Sequence, residues 1–156
     1  MSISAKIKNY LDKEHIGYQI LEHSLAYTAL EIAGTQHVPG KNLIKSVIVK
    51  ADGQYVMCIL SAIHMIDFDK LKKLTGAKQL DLAKEKEVAD LFPEYETGAE
   101  PPFGQLYGLK VYVDKIVTED NEIVFNAGTH TDMLKIKYTD FARLANPIVG
   151  EFGKHI

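Results

Sequence analysis

The sequence predicts an α/β fold in which a mixed, largely antiparallel sheet is flanked by helices. Helical spacing of apolar residues recurs near both ends and in the middle of the chain. Between those segments lie short β-rich runs, two of them joined by the turn dipeptide Asp52-Gly53. The chain has 156 residues and no repeat, low-complexity tract or linker, so a single domain over 1–156 is expected. A domain of that size buries roughly 70% of its unfolded surface.

The elements follow in order. Ile3, Ile7, Tyr10 and Leu11 share one helical face over Ser2 to Lys13. Gly17 ends the next turn, and Tyr18 to Leu21 alternates like a short strand. Thr28-x-x-Glu31 has the form of a capping box, so a second helix is expected from Thr28. Asn42 to Lys50 and Gln54 to Ser61 flank Asp52-Gly53, whose tolerance of positive φ predicts an antiparallel hairpin. Asp67 to Leu74 and Leu82 to Leu91 read as helices, the first stopped by Gly76 and the second by Phe92-Pro93. Leu109 to Lys115, Glu122 to Asn126 and Met133 to Tyr138 read as strands. A last helix starts near Thr139-Asp140 and stops before Pro147.

Composition narrows the function. Hydrophobic and charged contents of 46% and 25% are those of a globular protein. The one cysteine, Cys58, sits in an apolar run, which rules out an intrachain disulfide or thiolate metal cluster and favours a buried, inert thiol. No apolar stretch reaches signal-peptide or bilayer-spanning length, so a cytoplasmic protein without a membrane partner is expected. The net charge of −3 is unlike that of a general nucleic-acid binder. It is unevenly spread: residues 1–78 carry +3 and residues 79–156 carry −6. The acids Glu85, Glu87, Asp90, Glu94 and Glu96 read as a solvated face, as do the charges of the helix beginning at Asp67.

Three features carry candidate chemistry. Alternation places Lys45 on one strand face with Leu43, Val47 and Val49, where a lysine is out of pattern. It either snorkels at a sheet edge or aims its ammonium into a pocket. In Thr97-Gly98-Ala99-Glu100-Pro101-Pro102-Phe103-Gly104, two prolines bracketed by glycines make a stiff loop. Such a loop holds backbone groups in fixed positions for a small polar ligand, though an ordinary turn has the same composition. The six histidines include no pair at i, i+4 ligand spacing and no His-Glu-x-x-His, so neither a metal nor a cofactor is expected. Gly34 to Asn42 fails as a phosphate-binding loop, because five residues separate Gly34 from Gly40 and Asn42 follows Lys41. No nucleophile elbow, dinucleotide fingerprint or Ser-His-Asp spacing is present.

Gly98-x-x-x-Pro102 followed by Phe103-Gly104, with His23 and Thr28 early, Lys45 in a strand and Gly128-Thr129-His130 late, resembles the bacterial prolyl-tRNA editing family. That family comprises the free-standing YbaK-type aminoacyl-tRNA deacylases and the related editing domain inserted in prolyl-tRNA synthetases. The resemblance runs from His23 to the last helix; Lys45 and the Gly98-to-Gly104 loop are its strongest parts, and Gly128-Thr129-His130 its weakest. It implies hydrolysis of the ester joining a wrong amino acid to the tRNA 3′ adenosine, without metal or protein nucleophile and with help from a substrate 2′-hydroxyl. It also implies roles: Lys45 would hold the terminal phosphate or adenosine, and the loop backbone at Gly98 would grip the aminoacyl group and polarise its carbonyl. His23, Tyr27, Thr28, Pro101, Pro102, Phe103, Gly104, Gly128, Thr129 and His130 would contact the substrate. The implied partner is the 3′ end of an aminoacyl-tRNA, tRNA-Pro carrying alanine, serine or cysteine, with a synthetase as a second candidate partner. Monomer and weak homodimer both stay open. Arg143 is the only arginine, so tRNA contact must rest on lysines. Two rivals remain: a silent tRNA-binding module of the same fold, and a small-molecule binding domain.

Overall fold

The structure, a computed structural model, describes residues 5–22 and 42–155. Its elements, numbered among those residues, begin with helix α1 (Ala5–Lys13), which buries Ile7 and Leu11, and strand β1 (Gln19–Glu22). The helix expected from Thr28 lies outside the described residues. Strands β2 (Ile44–Ala51) and β3 (Gln54–Ser61) pair antiparallel from Ile44 opposite Ser61 to Ala51 opposite Gln54. Asp52 and Gly53 have φ of 49° and 83°, the double positive φ of a two-residue type I′ turn.

Strand β4 (His64–Ile66) leads into α2 (Phe68–Thr75). The Asp67 carboxylate caps α2 by accepting the N–H groups of Asp69 and Lys70, and Gly76 closes it at φ 72°. The segment expected as one helix from Leu82 divides instead. Leu80–Leu82 is strand β5, drawn onto the edge of β2, and α3 (Glu85–Leu91) starts three residues later. Strand β6 (Lys110–Asp114) runs into a 3₁₀ turn over Lys115–Glu119, so Lys115 is not strand. Strands β7 (Glu122–Asn126) and β8 (Asp132–Lys137), helix α4 (Tyr138–Ala145), and the short strands β9 (Ile148–Gly150) and β10 (Gly153–His155) complete the chain.

Three sheets form among the described residues. The five-stranded one has order β5-β2-β3-β6-β9 and is mixed, with β6 parallel to both β3 and β9. The three-stranded β1-β8-β7 and the two-stranded β10-β4 are antiparallel. The main core lies between the two larger sheets and joins Ile48, Met57 and Ile59 to Phe125, Leu134 and Phe141. On the other face of the five-stranded sheet, Val49, Cys58 and Leu60 pack with Leu71 of α2 and with Phe152. None of the described helices is long and apolar enough to cross a membrane.

One consequence of this topology positions the site. Strand β5 pairs with β2 only at Val49–Ala51, and a lone parallel bridge ties Leu43 to Val124 of β7. The Ala83 N–H extends the first attachment to Ile48 O at 3.0 Å, and before it Lys45–Val47 pairs, among the described residues, with β3 alone, its other edge facing a cleft.

Candidate functional site

The cleft is a concavity of about 250 Å³, walled by Ser46, Val47 and Ile48 of β2, by Leu82 and Ala83 at the end of β5, by Glu85 and Val88 of α3, and by Thr97, Gly98 and Glu100. Its floor is the proline loop, locked to the β7–β8 turn by backbone bonds. Glu96 N–H donates to Gly128 O at 2.8 Å, and Gly128 N–H donates to Ala99 O at 3.0 Å. His130 adds two more ties: its N–H donates to Glu96 Oε1 at 2.7 Å, and its Nε2 meets Thr97 O at 2.9 Å. A carbonyl can only accept, so Nε2 carries a proton and Nδ1 is the nitrogen left for other partners.

Gly98 is exposed, at φ +91°, and a Cβ on it would stand 3.3 Å from His130 Cε1. A side chain there would cost about 1–3 kcal/mol in backbone strain and would crowd the imidazole. Glycine is thus required both by the turn and by the ring beside it. The next link is Glu100, 6% exposed, whose Oε2 accepts the Gly98 N–H at 2.8 Å. Burial pushes the Glu100 carboxyl up from its ordinary value, against the lowering effect of backbone N–H groups and of nearby His130.

The expected site residues divide into three groups. The loop from Gly98 to Pro102 and His130 come into direct contact, and Gly128 contributes the backbone that joins them. Pro101 and Pro102 are buried under the loop. Thr129 is buried too, its hydroxyl donating to Asp132 Oδ2 at 2.7 Å to hold the turn. Phe103 and Gly104 belong to the core. The Phe103 ring is 1% exposed among Tyr10, Phe125 and Phe141, and a Cβ on Gly104 would meet Met57 at 3.1 Å. The expectation that these two touch substrate is therefore corrected: they anchor the loop. His23, Tyr27 and Thr28 lie outside the described residues.

Lys45 stands one residue before the Ser46–Ile48 wall, opposite Leu60 of β3. Alternation directs its side chain to the face shared with Val47, away from the main core that holds Phe103. Lys45 is half-buried, and burial lowers its ammonium below the ordinary lysine value. No acid among the described residues pairs with it. It sits beside the cleft wall and makes no hydrogen bond to the loop among those described.

Sequence reasoning missed the acids. Glu96 and Glu100 shape the loop, yet Glu96 lies in a run read as solvated. Their only sequence signal is nearness to Gly98. Glu87, read the same way, accepts from Lys50 Nζ at 2.8 Å and from the Tyr55 hydroxyl. Cys58 is fully buried, its thiol pushed up to about 12 by burial, as its apolar run predicts. No group of three or more His, Cys, Asp or Glu among the described residues is placed to hold a metal ion.

Residues 23–144 match the family model of the aminoacyl-tRNA editing domain. Among curated proteins, the chain is 31% identical over 101 residues to a proline–tRNA ligase of Staphylococcus saprophyticus and 32% identical over 103 residues to one of Staphylococcus aureus. Those matches cover 65% and 64% of this chain, which spans only 18% and 17% of the length of the two ligases. Among solved structures, a candidate trans-editing enzyme for prolyl tRNA synthetase superposes with a TM-score of 0.85 at 21% identity, covering 98% of this chain and 99% of the other. A hypothetical protein superposes equally well at 18% identity, with 96% of this chain and 99% of the other covered. At these identities the superpositions speak for the fold.

Proposed function

The chain belongs to the aminoacyl-tRNA editing domain family, and from that premise we propose that it is a deacylase hydrolysing the ester of mischarged tRNA, with all of residues 1–156 forming one editing domain. The observation that carries the reading is the interlock at the cleft: Gly98 at positive φ, pressed against His130 and tied through Ala99 to Gly128. Ester hydrolysis passes through a tetrahedral oxyanion. Backbone dipoles held rigidly around it stabilise that charge without reorganising, which is where most of such a rate enhancement arises. A proline-stiffened loop, anchored by Phe103 in the core and stitched to the neighbouring turn, supplies that rigidity.

In this reading the aminoacyl group enters the concavity with its carbonyl beside Gly98; the Gly98 N–H is already given to Glu100 Oε2, so this residue positions the group and is not itself the oxyanion donor. Lys45, beside the wall, holds the terminal phosphate or adenosine outside as a compact point charge. The attacking water is oriented by the substrate's own 2′-hydroxyl, so the protein needs neither a nucleophile nor a metal. The histidine spacing and the described acids and histidines assemble no ligand set for a metal ion.

Relatedness to proline–tRNA ligases supports tRNA-Pro as the carrier; a small amino acid such as alanine or cysteine is the proposed substrate. A proline pocket separates smaller or similar side chains by only about 1–3 kcal/mol, which leaves a need for a second, hydrolytic sieve. The test is hydrolysis of a panel of mischarged tRNAs with and without a chelator. Alanyl- or cysteinyl-tRNA-Pro is expected to be cleaved and prolyl-tRNA-Pro spared, at rates the chelator leaves unchanged. Loss of activity with the chelator would overturn the metal-free mechanism. Binding of tRNA with no cleavage of any panel member would make the protein a silent module.

A further inference from the structure

Glu100 is a buried carboxylate that the deacylase mechanism leaves unused. It lines the concavity, is 6% exposed, and forms no ion pair with any basic side chain among the described residues. The other acids near the cleft are committed or solvated. Glu96 Oε1 takes the His130 N–H, Asp132 Oδ2 takes the Thr129 hydroxyl, and Glu85 is exposed at the start of α3. Backbone N–H groups and nearby His130 offset part of this charge, but no lysine or arginine among the described residues meets it. A cation entering the cleft would offset the rest of the burial cost. The aminoacyl end of the proposed substrate carries one cation, its α-ammonium, two bonds from the ester carbonyl. Because Glu100 Oε2 is tied to the Gly98 N–H, the carboxylate is fixed beside the backbone at which that carbonyl is proposed to lie.

We propose that the Glu100 carboxylate is the counter-ion of the substrate α-ammonium, so that the site accepts esters of free amino acids and rejects N-acylated ones. This rests on the deacylase reading and adds a specificity to it. Blocking the amine leaves the carboxylate buried and unpaired, and the resulting loss falls on the analogue that lacks the charge. Peptidyl-tRNA and N-formylaminoacyl-tRNA, whose amines are blocked, would be disfavoured on the same ground.

The competing role for Glu100 is a staple of the loop through Gly98, and the experiment separates the two. Values of kcat/KM are measured for the wild type and Glu100→Gln on alanyl-tRNA, N-acetylalanyl-tRNA and lactyl-tRNA, in which a hydroxyl replaces the amine. Gln keeps an acceptor for the Gly98 N–H and removes the charge. The wild type should favour alanyl- over N-acetylalanyl-tRNA by about tenfold or more, the expected scale for leaving a buried charged group unpaired. Glu100→Gln should lower the alanyl rate by a similar factor and leave the lactyl rate within about twofold, because lactyl-tRNA has no charge to lose. Equal losses on alanyl- and lactyl-tRNA would identify a loop staple and overturn the proposal. So would a wild type that cleaves all three substrates alike, a result that needs no variant and stands even if Glu100→Gln fails to fold. Inactivity of the wild type on all three would bring down the deacylase reading, and the Glu100 assignment with it.

Discussion

The role proposed for Lys45 comes at a cost to the fold. Burial holds its ammonium below the ordinary lysine range, so the folded chain binds that proton less tightly than the unfolded chain does. The sign follows: the charge costs stability at every pH below the lowered value, and the cost fades as pH rises through it. Replacing Lys45 by Met keeps the apolar stem beside Val47 and removes the charge. The variant should therefore melt slightly higher at neutral pH, the gain trimmed by the solvent that reaches the half-exposed ammonium, while hydrolysis of mischarged tRNA nearly disappears. Arg should rescue poorly, since a planar fork does not replace a compact ammonium. Thermal unfolding and a deacylation assay on the same samples check both halves. A lower melting midpoint would mean that the ammonium is paired in the fold, and the pocket role would lose its basis. The lysine was legible in the sequence because it broke strand alternation. Glu100 was not, because one acid beside Gly98 looks like any loop acid until burial is known.

At the scale of elements, legibility followed how local the signal was. The β2–β3 hairpin could be read from Asp52-Gly53 because positive φ at both turn residues is a demand of the turn itself. Helix α2 announced its cap at Asp67 and its stop at Gly76. Strands β4, β5, β9 and β10 have three residues each, too few to show a period, and they exist only through partners distant in sequence. Leu82 was absorbed into a helical reading for that reason. The docking of α3 was equally hidden, since it depends on Glu87 reaching Lys50 of β2 and Tyr55 of β3. Those contacts, with the Lys50 hydrogen bond first, hold the Glu87 carboxyl at about 2. A carboxylate depressed in the folded state contributes stability above its unfolded value and loses it as pH falls through the folded one. Stability should therefore decline between roughly pH 4.3 and pH 2 partly through Glu87. Glu87→Gln should flatten that stretch of the melting-midpoint curve and lower the midpoint at pH 7. Parallel curves for wild type and variant would show that solvent already screens the contact.

Across the whole molecule, the assignment of strands to sheets was out of reach of the sequence, and the cleft depends on it. Lys45–Val47 has an open edge among the described residues because β5 and Ala83 hold β2 over Ile48–Ala51 and β7 touches Leu43 just before it. No local pattern encodes a gap between two sheets. Charge, by contrast, can be read directly, and it limits how the protein would meet the proposed tRNA. The net charge is −3, and the lone arginine, Arg143, lies 3.9 Å from Glu14. Lys6, Lys50 and Lys115 face Glu94, Glu87 and Glu151. The net negative charge disfavours a long phosphate track, so recognition should centre on the 3′ end with two or three phosphate contacts. Each neutralised phosphate on a single strand adds about −0.7 to the slope of log affinity against log salt. The expected slope is therefore about −1.5 to −2, measured by fluorescence anisotropy of a labelled, non-hydrolysable aminoacyl-tRNA mimic across a salt series. A short hairpin bearing only the acceptor stem and 3′ end should bind as tightly as the full tRNA and with the same slope. A much steeper slope for full-length tRNA than for the hairpin would mean that the protein tracks the tRNA body, and that its lysines form a broader basic surface than the net charge suggests.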